Sequence, residues 1–400
     1  MPDLPAVPSG AGAAIPAPME AGTGRAAHYY ACFDGVRALA AVTVLVFHAA
    51  LFTGSFRGSL GDYLINLDVG VWVFFLASGF LLYRPFAQAH FSGERRPNVP
   101  NYFLRRGARI YPAYWIALFV MTVVLGEATV HGTGNAVRHA TLTQRYFGSQ
   151  LADVFAGLPH AWTLVVEVSF YVFLPCFAYL VVLGARRCSA VAAELGGLAL
   201  MFVVGLAAVL WASFGDPPQA VLVLPAHLHV FALGMLLAVL VSRPWGAGVT
   251  AALAWSGRRP WLWWLLAAAV FVAIPLVFGR AAGVKPGPGQ ALALDLCRTA
   301  IGVCIVVPAV LGDQGAGLIR RFLRARWMVF LGVISYGIYL WHYNIVVIAQ
   351  RDWLGYRPDT GNAVMVSVVV FAATVAVATA SWYLVERPLI RLVHRRTRRA

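Results

Sequence analysis

Ionisable side chains interrupt two apolar segments in the first half of the chain. In the stretch DGVRALAAVTVLVFH, ten almost entirely apolar residues separate Arg37 from His48, and Glu167 lies within HAWTLVVEVSFYVFLP. A charge in an apolar, membrane-like segment is costly, so such residues usually face a partner or a water-filled cavity. We therefore take Arg37, His48 and Glu167 as candidate catalytic residues.

The spacing of Arg37 and His48 places both side chains on one helical face. Eleven steps of 100° come within about 20° of three full turns and separate the residues by about 16 Å along the axis. Taken singly, Arg37 could snorkel to the lipid headgroups and His48 could pack with its polar atoms satisfied. Their shared face favours a functional lining.

Glu167 is expected at the depth of His48, because it lies several residues inside a helix that enters from the outer side. A carboxylate beside an imidazole orients the ring and raises its basicity, so that His48 could take a proton from an attacking hydroxyl. The alternative is a protonated Glu167 in a hydrogen bond between helices. The pattern predicts a His48–Glu167 pair and leaves that alternative open.

Two further stretches carry candidate binding residues. Arg106 and Arg109, in NYFLRRGARIYPAYW, are one helical turn apart, and two guanidiniums on one face match a phosphate or pyrophosphate. Membrane-surface anchoring explains that spacing equally well. Ser78 and Gly79, in FFLASGFLLYRP, are small residues where a backbone or a narrow ligand arm could approach closely, although helix packing explains them at least as well.

The remaining polar residues give weaker predictions about function. The five cysteines are scattered without Cys-x-x-Cys spacing, and His227 and His229 lie on different helical faces, so we expect no metal and no disulfide. His342, in SYGIYLWHYNI, is either a packed histidine or a second lining residue. Glu386 and Arg387 are typical of an interfacial ion pair and anchor.

The elements that must position these residues are membrane helices. Of 400 residues, 60% are hydrophobic and 12% are charged, and apolar runs of about 20 residues recur, enough to cross ~30 Å of hydrocarbon. The sequence therefore predicts an all-α polytopic membrane protein of about ten transmembrane helices. The predicted spans are 36–53, 67–86, 110–126, 162–183, 193–214, 220–241, 261–279, 292–311, 328–349 and 363–385.

The basic residues predict the orientation. The net charge is +15, and 23 of the 31 Lys and Arg residues lie in loops on the side of the N-terminus. By the positive-inside rule both termini are cytoplasmic, which requires an even number of spans. Charge in loops between apolar runs indicates anionic lipid headgroups as the partner, not nucleic acid.

The chain divides into one domain with two tails. Residues 1–28 are rich in Ala, Pro and Gly without the pattern of a signal peptide, and we predict a disordered tail. Residues 29–390 hold the spans, without an internal repeat. Residues 391–400 form a basic cytoplasmic tail.

Six stretches in this order resemble the membrane-bound acyltransferase-3 family of integral O-acyltransferases. They are FDGVRALAAVTVLVFH, FFLASGFLLYRP, FLRRGARIYPAYW, AWTLVVEVSFY, SYGIYLWHYNI and LVERP. The resemblance covers about residues 29–390 and implies a ten-span fold in a bacterial cytoplasmic membrane.

The resemblance also implies roles for single residues. Arg37 and His48 stand at the family's motif of an arginine, ten residues and a histidine, with the histidine implicated in catalysis. Arg106 and Arg109 match its Arg-x-x-Arg motif at the acyl-CoA end, and residues 78–81 match its Gly-Phe-x-Leu region. Glu167 matches the first acid of a segment that in many members has two.

Two departures from that segment bear on mechanism. Thr163 replaces the family's serine and Val168 replaces the second acid. A mechanism that needs both acids is therefore not expected here.

The expected function is transfer of an acyl group, most simply acetyl, from acyl-CoA to a hydroxyl of a carbohydrate, glycoside or antibiotic, with no metal. Arg106 and Arg109, with Ser78 and Gly79, would bind the donor, and His48, helped by Glu167 and Arg37, would act as general base. Direct attack and an acyl-histidine intermediate are both open. The alternative functions are a transporter or flippase without acyl transfer, and a sensor without chemistry.

Overall fold

The computed structural model describes residues 30–93, 95–127, 129–147, 156–214, 222–279 and 286–398. Within these ranges the chain is helical and contains no strand. The predicted tail over residues 1–28 lies outside the described residues.

Fourteen helices carry the architecture. They are α1 (Cys32–Phe52), α2 (Gly70–Ser92), α3 (Val99–Phe119), α4 (Thr133–Ala140), α5 (Trp162–Gly184), α6 (Ala190–Phe214), α7 (Leu228–Val241), α8 (Ala247–Arg258), α9 (Pro260–Phe278), α10 (Pro288–Val310), α11 (Arg326–Val333), α12 (Ser335–Ile348), α13 (Ala363–Ser381) and α14 (Arg387–Arg398). Short helical turns connect or extend them: Ser55–Arg57, Gly61–Leu64, Ile65–Val69, Val120–Val124, Gln144–Phe147, Pro159–Ala161, Leu224–His227, Leu318–Leu323, Ala349–Trp353 and Trp382–Glu386.

The expectation of about ten spans is confirmed. In the described part of the chain, nine helices are long and apolar enough to cross a membrane, and a bent pair makes a tenth. That pair is α11 and α12, which meet at 70° where a single straight span over 328–349 was predicted. Gly332 at the end of α11 allows the bend to sit against α1, because a Cβ there would overlap the main chain of Asp34.

Helix α3 begins eleven residues earlier than its predicted span. The side chain of Asn98 caps it by accepting from the backbone N–H of Asn101 at 2.9 Å, and Pro100 occupies the first turn, where its missing N–H costs nothing. Arg106 and Arg109 therefore lie two to three turns inside a helix.

Two close helix contacts fix the interior. Helix α1 packs against α2, α10, α11, α12 and α13, and α2 packs along α7. A Cβ at Gly79 would lie 2.5 Å from the main-chain oxygen of Phe231, and a Cβ at Gly234 would overlap that of Leu76. Small residues thus let the α2 and α7 backbones approach, as they do at tight contacts between membrane helices.

Candidate active site

A cavity of about 110 Å³ opens between five helices. Its polar lining residues are Arg37 of α1, Ser78 of α2, Arg106 and Arg109 of α3, Thr163, Glu167 and Tyr171 of α5, and Tyr336 and Tyr339 of α12. Five separate sequence motifs therefore meet in one wall. Five of the seven residues predicted for the site line this cavity.

The three arginines of the cavity wall have no fixed partner. Among the described residues, no hydrogen bond and no ion pair occupies Arg37, Arg106 or Arg109. The Nε atom of Arg106 is buried without a hydrogen bond. A buried guanidinium is expensive to leave without an acceptor, so the wall is suited to an anionic ligand.

Glu167 belongs to this group of arginines. Its Oε1 accepts hydrogen bonds from the hydroxyls of Ser78 at 3.1 Å and Tyr171 at 2.6 Å. It interacts electrostatically with Arg37 and Arg106. The lining thus carries three positive charges against one negative charge.

A second carboxylate, for which the sequence predicted no role at the site, lies near the arginines of the cavity wall. Glu386 is 2% exposed and accepts a hydrogen bond from the hydroxyl of Ser381 at 3.0 Å. It interacts electrostatically with Arg109 and Arg37, whereas Arg387 lies over the ring of Tyr383. The predicted ion pair of Glu386 with Arg387 is therefore wrong, because the chain buries the carboxylate and leaves the arginine on an aromatic face.

His48 is paired with another histidine. Its Nδ1 lies 3.0 Å from Nε2 of His342 and 2.9 Å from the carbonyl oxygen of Val44. His342 is fully buried, whereas His48 is partly exposed. Of the two alternatives that the sequence leaves open for His342, the structure gives the packed histidine: its side chain is not among the residues that line the cavity, and it contacts the candidate base.

A third imidazole completes the cluster. His160, in the turn before α5, is 3% exposed, and its Nε2 lies 3.0 Å from the carbonyl oxygen of Leu340. Its ring centroid is 5.4 Å from that of His342, and its ring stacks on Tyr343 with centroids 5.2 Å apart. His48, His160 and His342 are called the histidine cluster below.

The histidine cluster and Glu167 are separate. In the described part of the chain no hydrogen bond joins His48 to Glu167. The residue of this segment that lies at the depth of His48 is His160, which contacts His342 and precedes Glu167 by seven residues. Seven residues rise about 10 Å along a helix. The predicted equal depth of Glu167 and His48 is wrong, because α5 starts at the cluster and reaches the arginines two turns later.

Tyr339 connects the cavity to the histidine cluster. It lines the cavity, donates its hydroxyl to the carbonyl oxygen of His160 at 2.6 Å and accepts from the hydroxyl of Thr163 at 2.6 Å. Its ring centroid is 5.6 Å from that of His342. A ligand in the cavity is thus one layer of side chains from the imidazoles.

Arg145, in the short helix Gln144–Phe147, supports the turn that holds His160. Arg145 donates from Nη2 to the carbonyl oxygen of Pro159 at 3.2 Å. Burial lowers the pKa of Arg145 to about 10, so the side chain keeps its charge at neutral pH.

Ser78 and Gly79 are separated by the structure. Ser78 lines the cavity and donates a hydrogen bond to Glu167, and its role in binding stays a prediction. Gly79 faces α7, where it meets the backbone of Phe231, and is not among the residues that line the cavity. The structure therefore gives Gly79 a packing contact rather than a place in the cavity.

A second, more open cavity of about 370 Å³ adjoins the first. The two share Leu81, Leu82 and Arg106, and the second also has Arg95, Arg96 and Arg105 in its lining. Together they form a basic path from the α2–α3 connection, on the predicted cytoplasmic side, to Glu167. In the described ranges no group of three or more His, Cys, Asp or Glu side chains could hold a metal ion.

Comparison with known proteins identifies the family of the chain. A family described as an acyltransferase domain matches residues 30–385. A putative peptidoglycan O-acetyltransferase of Bacillus subtilis is 24% identical over 90% of this chain and 55% of its own length, and a peptidoglycan O-acetyltransferase of Listeria monocytogenes is 23% identical over 90% and 56%. An acyltransferase of Streptomyces mycarofaciens is 25% identical over 90% of this chain and 92% of its own length.

The chain spans about half the length of the two peptidoglycan O-acetyltransferases. No solved structure matches it. The family match extends from the start of α1 into the turn before α14, and so includes every helix that lines the cavity or holds the histidine cluster. The chain belongs to the acyltransferase-3 family of membrane acyltransferases.

Proposed function

We propose that the chain is an O-acyltransferase that moves an acyl group, most simply acetyl, from acyl-CoA to a hydroxyl of a carbohydrate-type acceptor in the bacterial cytoplasmic membrane. The observation that carries the proposal is the placement of three arginines, which make no hydrogen bond or ion pair among the described residues, one layer of side chains from a histidine cluster with one partly exposed member. An anionic donor bound at the arginines would present its far end towards His48.

The donor assignment rests on charge and reach. CoA carries phosphates at one end and the thioester at the other, joined by a narrow flexible arm. Arg37, Arg106 and Arg109 would neutralise phosphate charge, and the adjoining basic cavity gives room for the nucleotide. Glu167 supports the arginines electrostatically, and its catalytic role stays a prediction.

The chemistry assigned to His48 is general base catalysis. The ring would take the proton of the acceptor hydroxyl as its oxygen attacks the thioester carbonyl, and the C–S bond would then break to release CoA. The partial exposure of His48 supports this role, since His160 and His342 are buried. Two relatives named for peptidoglycan O-acetylation support a glycan hydroxyl as acceptor.

The test is calorimetric binding of acetyl-CoA to the purified, detergent-solubilised protein. The double variant Arg106→Ala, Arg109→Ala removes two charges from the cavity wall and should weaken binding by at least tenfold, since each charged hydrogen bond contributes about 1.5–3 kcal/mol. Arg187→Ala is the matched control, because Arg187 is an exposed arginine outside both cavities.

The result of the binding experiment distinguishes acyl-CoA binding at the arginines from transport without acyl transfer. Saturable binding in the wild type and Arg187→Ala, with loss in the double variant, supports the donor site. Wild-type affinity in the double variant rejects the arginine clamp. Absence of binding to acetyl-CoA and to longer acyl-CoAs, with the protein folded, favours transport without acyl transfer.

A further inference from the structure

The hydrogen bonds of His342 determine which of its nitrogens carries the proton. Nδ1 lies 2.7 Å from the carbonyl oxygen of Tyr339 and 3.1 Å from that of Ile338. Carbonyl oxygens only accept, so Nδ1 must be the N–H. A neutral imidazole has a single N–H, and Nε2 of His342 therefore presents a lone pair.

The same reasoning extends to His48. Its Nδ1 faces two acceptors, the lone pair of His342 Nε2 at 3.0 Å and the carbonyl oxygen of Val44 at 2.9 Å. Nδ1 of His48 must therefore be protonated as well, and its N–H is shared between the two. Nε2 of His48 then carries the lone pair, and among the described residues no hydrogen bond occupies it.

The opposite proton arrangement is strongly disfavoured. If His342 donated from Nε2 to Nδ1 of His48, three lone-pair contacts would arise with the carbonyl oxygens of Val44, Ile338 and Tyr339. Each would leave a buried acceptor facing another acceptor, at a cost of about 1–3 kcal/mol. Only one assignment satisfies all four contacts.

We infer that His342 is a positioning residue, which holds His48 in the tautomer whose Nε2 is free to act as a base. The inference rests on the proposed function and deepens it, because it gives to a neutral histidine the orienting role that the sequence suggested for Glu167. In serine hydrolases a carboxylate fixes the tautomer of the base in the same way.

The proton taken up by His48 is returned within the same reaction. The acceptor hydroxyl loses its proton to His48 Nε2 as the oxygen forms a bond to the thioester carbon. His48 is then an imidazolium whose Nδ1–H still donates to His342 Nε2. When the C–S bond breaks, the departing CoA thiolate takes the proton from Nε2, and the neutral pair is restored.

A neutral orienting residue suits the location. His342 has no exposed surface and lies in an apolar span, where a carboxylate would add a buried charge between turnovers. His160 and Tyr339 pack on its ring, with centroid distances of 5.4 and 5.6 Å, and prevent it from turning away.

The direct test is ¹⁵N NMR of the histidine-labelled full-length protein in lipid, with the His48 and His342 signals assigned by their loss in His48→Asn and His342→Asn. We expect protonated Nδ1 and unprotonated Nε2 in both rings, and a ¹⁵N–¹⁵N coupling between His48 Nδ1 and His342 Nε2. Protonated Nε2 in either ring would overturn the inference.

The kinetic test compares two conservative variants. In His342→Gln the terminal amide oxygen can take the place of Nε2 as acceptor, whereas in His342→Asn the amide reaches only the position of Nδ1. We expect CoA release from acetyl-CoA to fall in kcat by about 10²-fold in the Asn variant and by clearly less in the Gln variant, with the KM for acetyl-CoA unchanged in both.

The two proposals fail differently. Equal kcat in the two variants, at equal thermal stability, would reduce His342 to packing and overturn the inference while leaving acyl transfer in place. If the wild type released no CoA, the proposed function would fall, and the NMR measurement would still decide whether His342 fixes the tautomer of His48.

Discussion

Two buried histidine sites in this protein have opposite character. His229 of α7 pairs with Asp295 of α10 at 2.6 Å, and the other carboxylate oxygen accepts from the indole N–H of Trp72 at 3.2 Å. His48 of α1 pairs with another histidine and keeps one nitrogen without a hydrogen bond among the described residues. The first site pairs a histidine with a carboxylate, and the second pairs two histidines, one of which is partly exposed.

The two histidine sites also differ in their burial and in the neighbouring arginines. His229 is fully buried, and neither it nor Asp295 lines either cavity described above. Next to them Arg298 is bound by Asp68 at 3.0 Å and by Asn66 at 3.2 Å, whereas among the described residues the three arginines that line the cavity have no such partners. The contacts of Asp295 with His229 and Trp72 join α2, α7 and α10, whereas an arginine without such contacts is suited to bind an anionic ligand.

The largest effect is expected from His48→Ala. Removal of a general base should lower kcat for CoA release from acetyl-CoA by about 10²- to 10⁴-fold, with acetyl-CoA affinity and thermal stability near wild type. Release is measured by mass spectrometry with a panel of sugars and glycosides as acceptors. His131→Ala, at an exposed histidine, is the control, and unchanged turnover in His48→Ala would reject the base.

The second-largest effect is expected from Asp295→Leu, and it should appear in stability and not in turnover. Asp295→Leu leaves His229 buried without its carboxylate and should lower the free energy of unfolding by about 3–5 kcal/mol, seen as a lower melting temperature in detergent. Adding His229→Leu should restore part of the loss, because the orphaned polar ring is removed. Loss of turnover in Asp295→Leu at full stability would contradict the contrast between the two sites.

The fold and the arginines of the cavity could be predicted from the sequence. Most of the histidine cluster could not. Apolar run length determines membrane spans, and helical periodicity predicts that Arg106 and Arg109 share one face of their helix, which in the structure lines the cavity. The His48–His342 contact joins residues 294 positions apart, so periodicity within one helix carries no information about it.

His160 was within reach of the sequence. It lies seven residues before Glu167, a spacing that repeats on one helical face, so the same argument that joined Arg37 to His48 applies to it. Helical periodicity could not identify the partner of Glu167, because the depth of Glu167 depends on where α5 begins relative to α1. A residue's neighbours across helices follow from packing, and packing is not periodic along the chain.

The smallest effect is expected from Glu167→Gln, and it distinguishes the two sides of the site. The amide keeps an oxygen for the hydroxyls of Ser78 and Tyr171 but removes the one negative charge that lines the cavity. If Glu167 serves the arginines, acetyl-CoA should bind about threefold to tenfold more tightly, because a like charge no longer opposes its phosphates. Glu127→Gln, which removes a charge paired with Arg351 away from the cavity, should leave affinity unchanged. Unchanged affinity with a strong fall in kcat would instead support a catalytic role for Glu167.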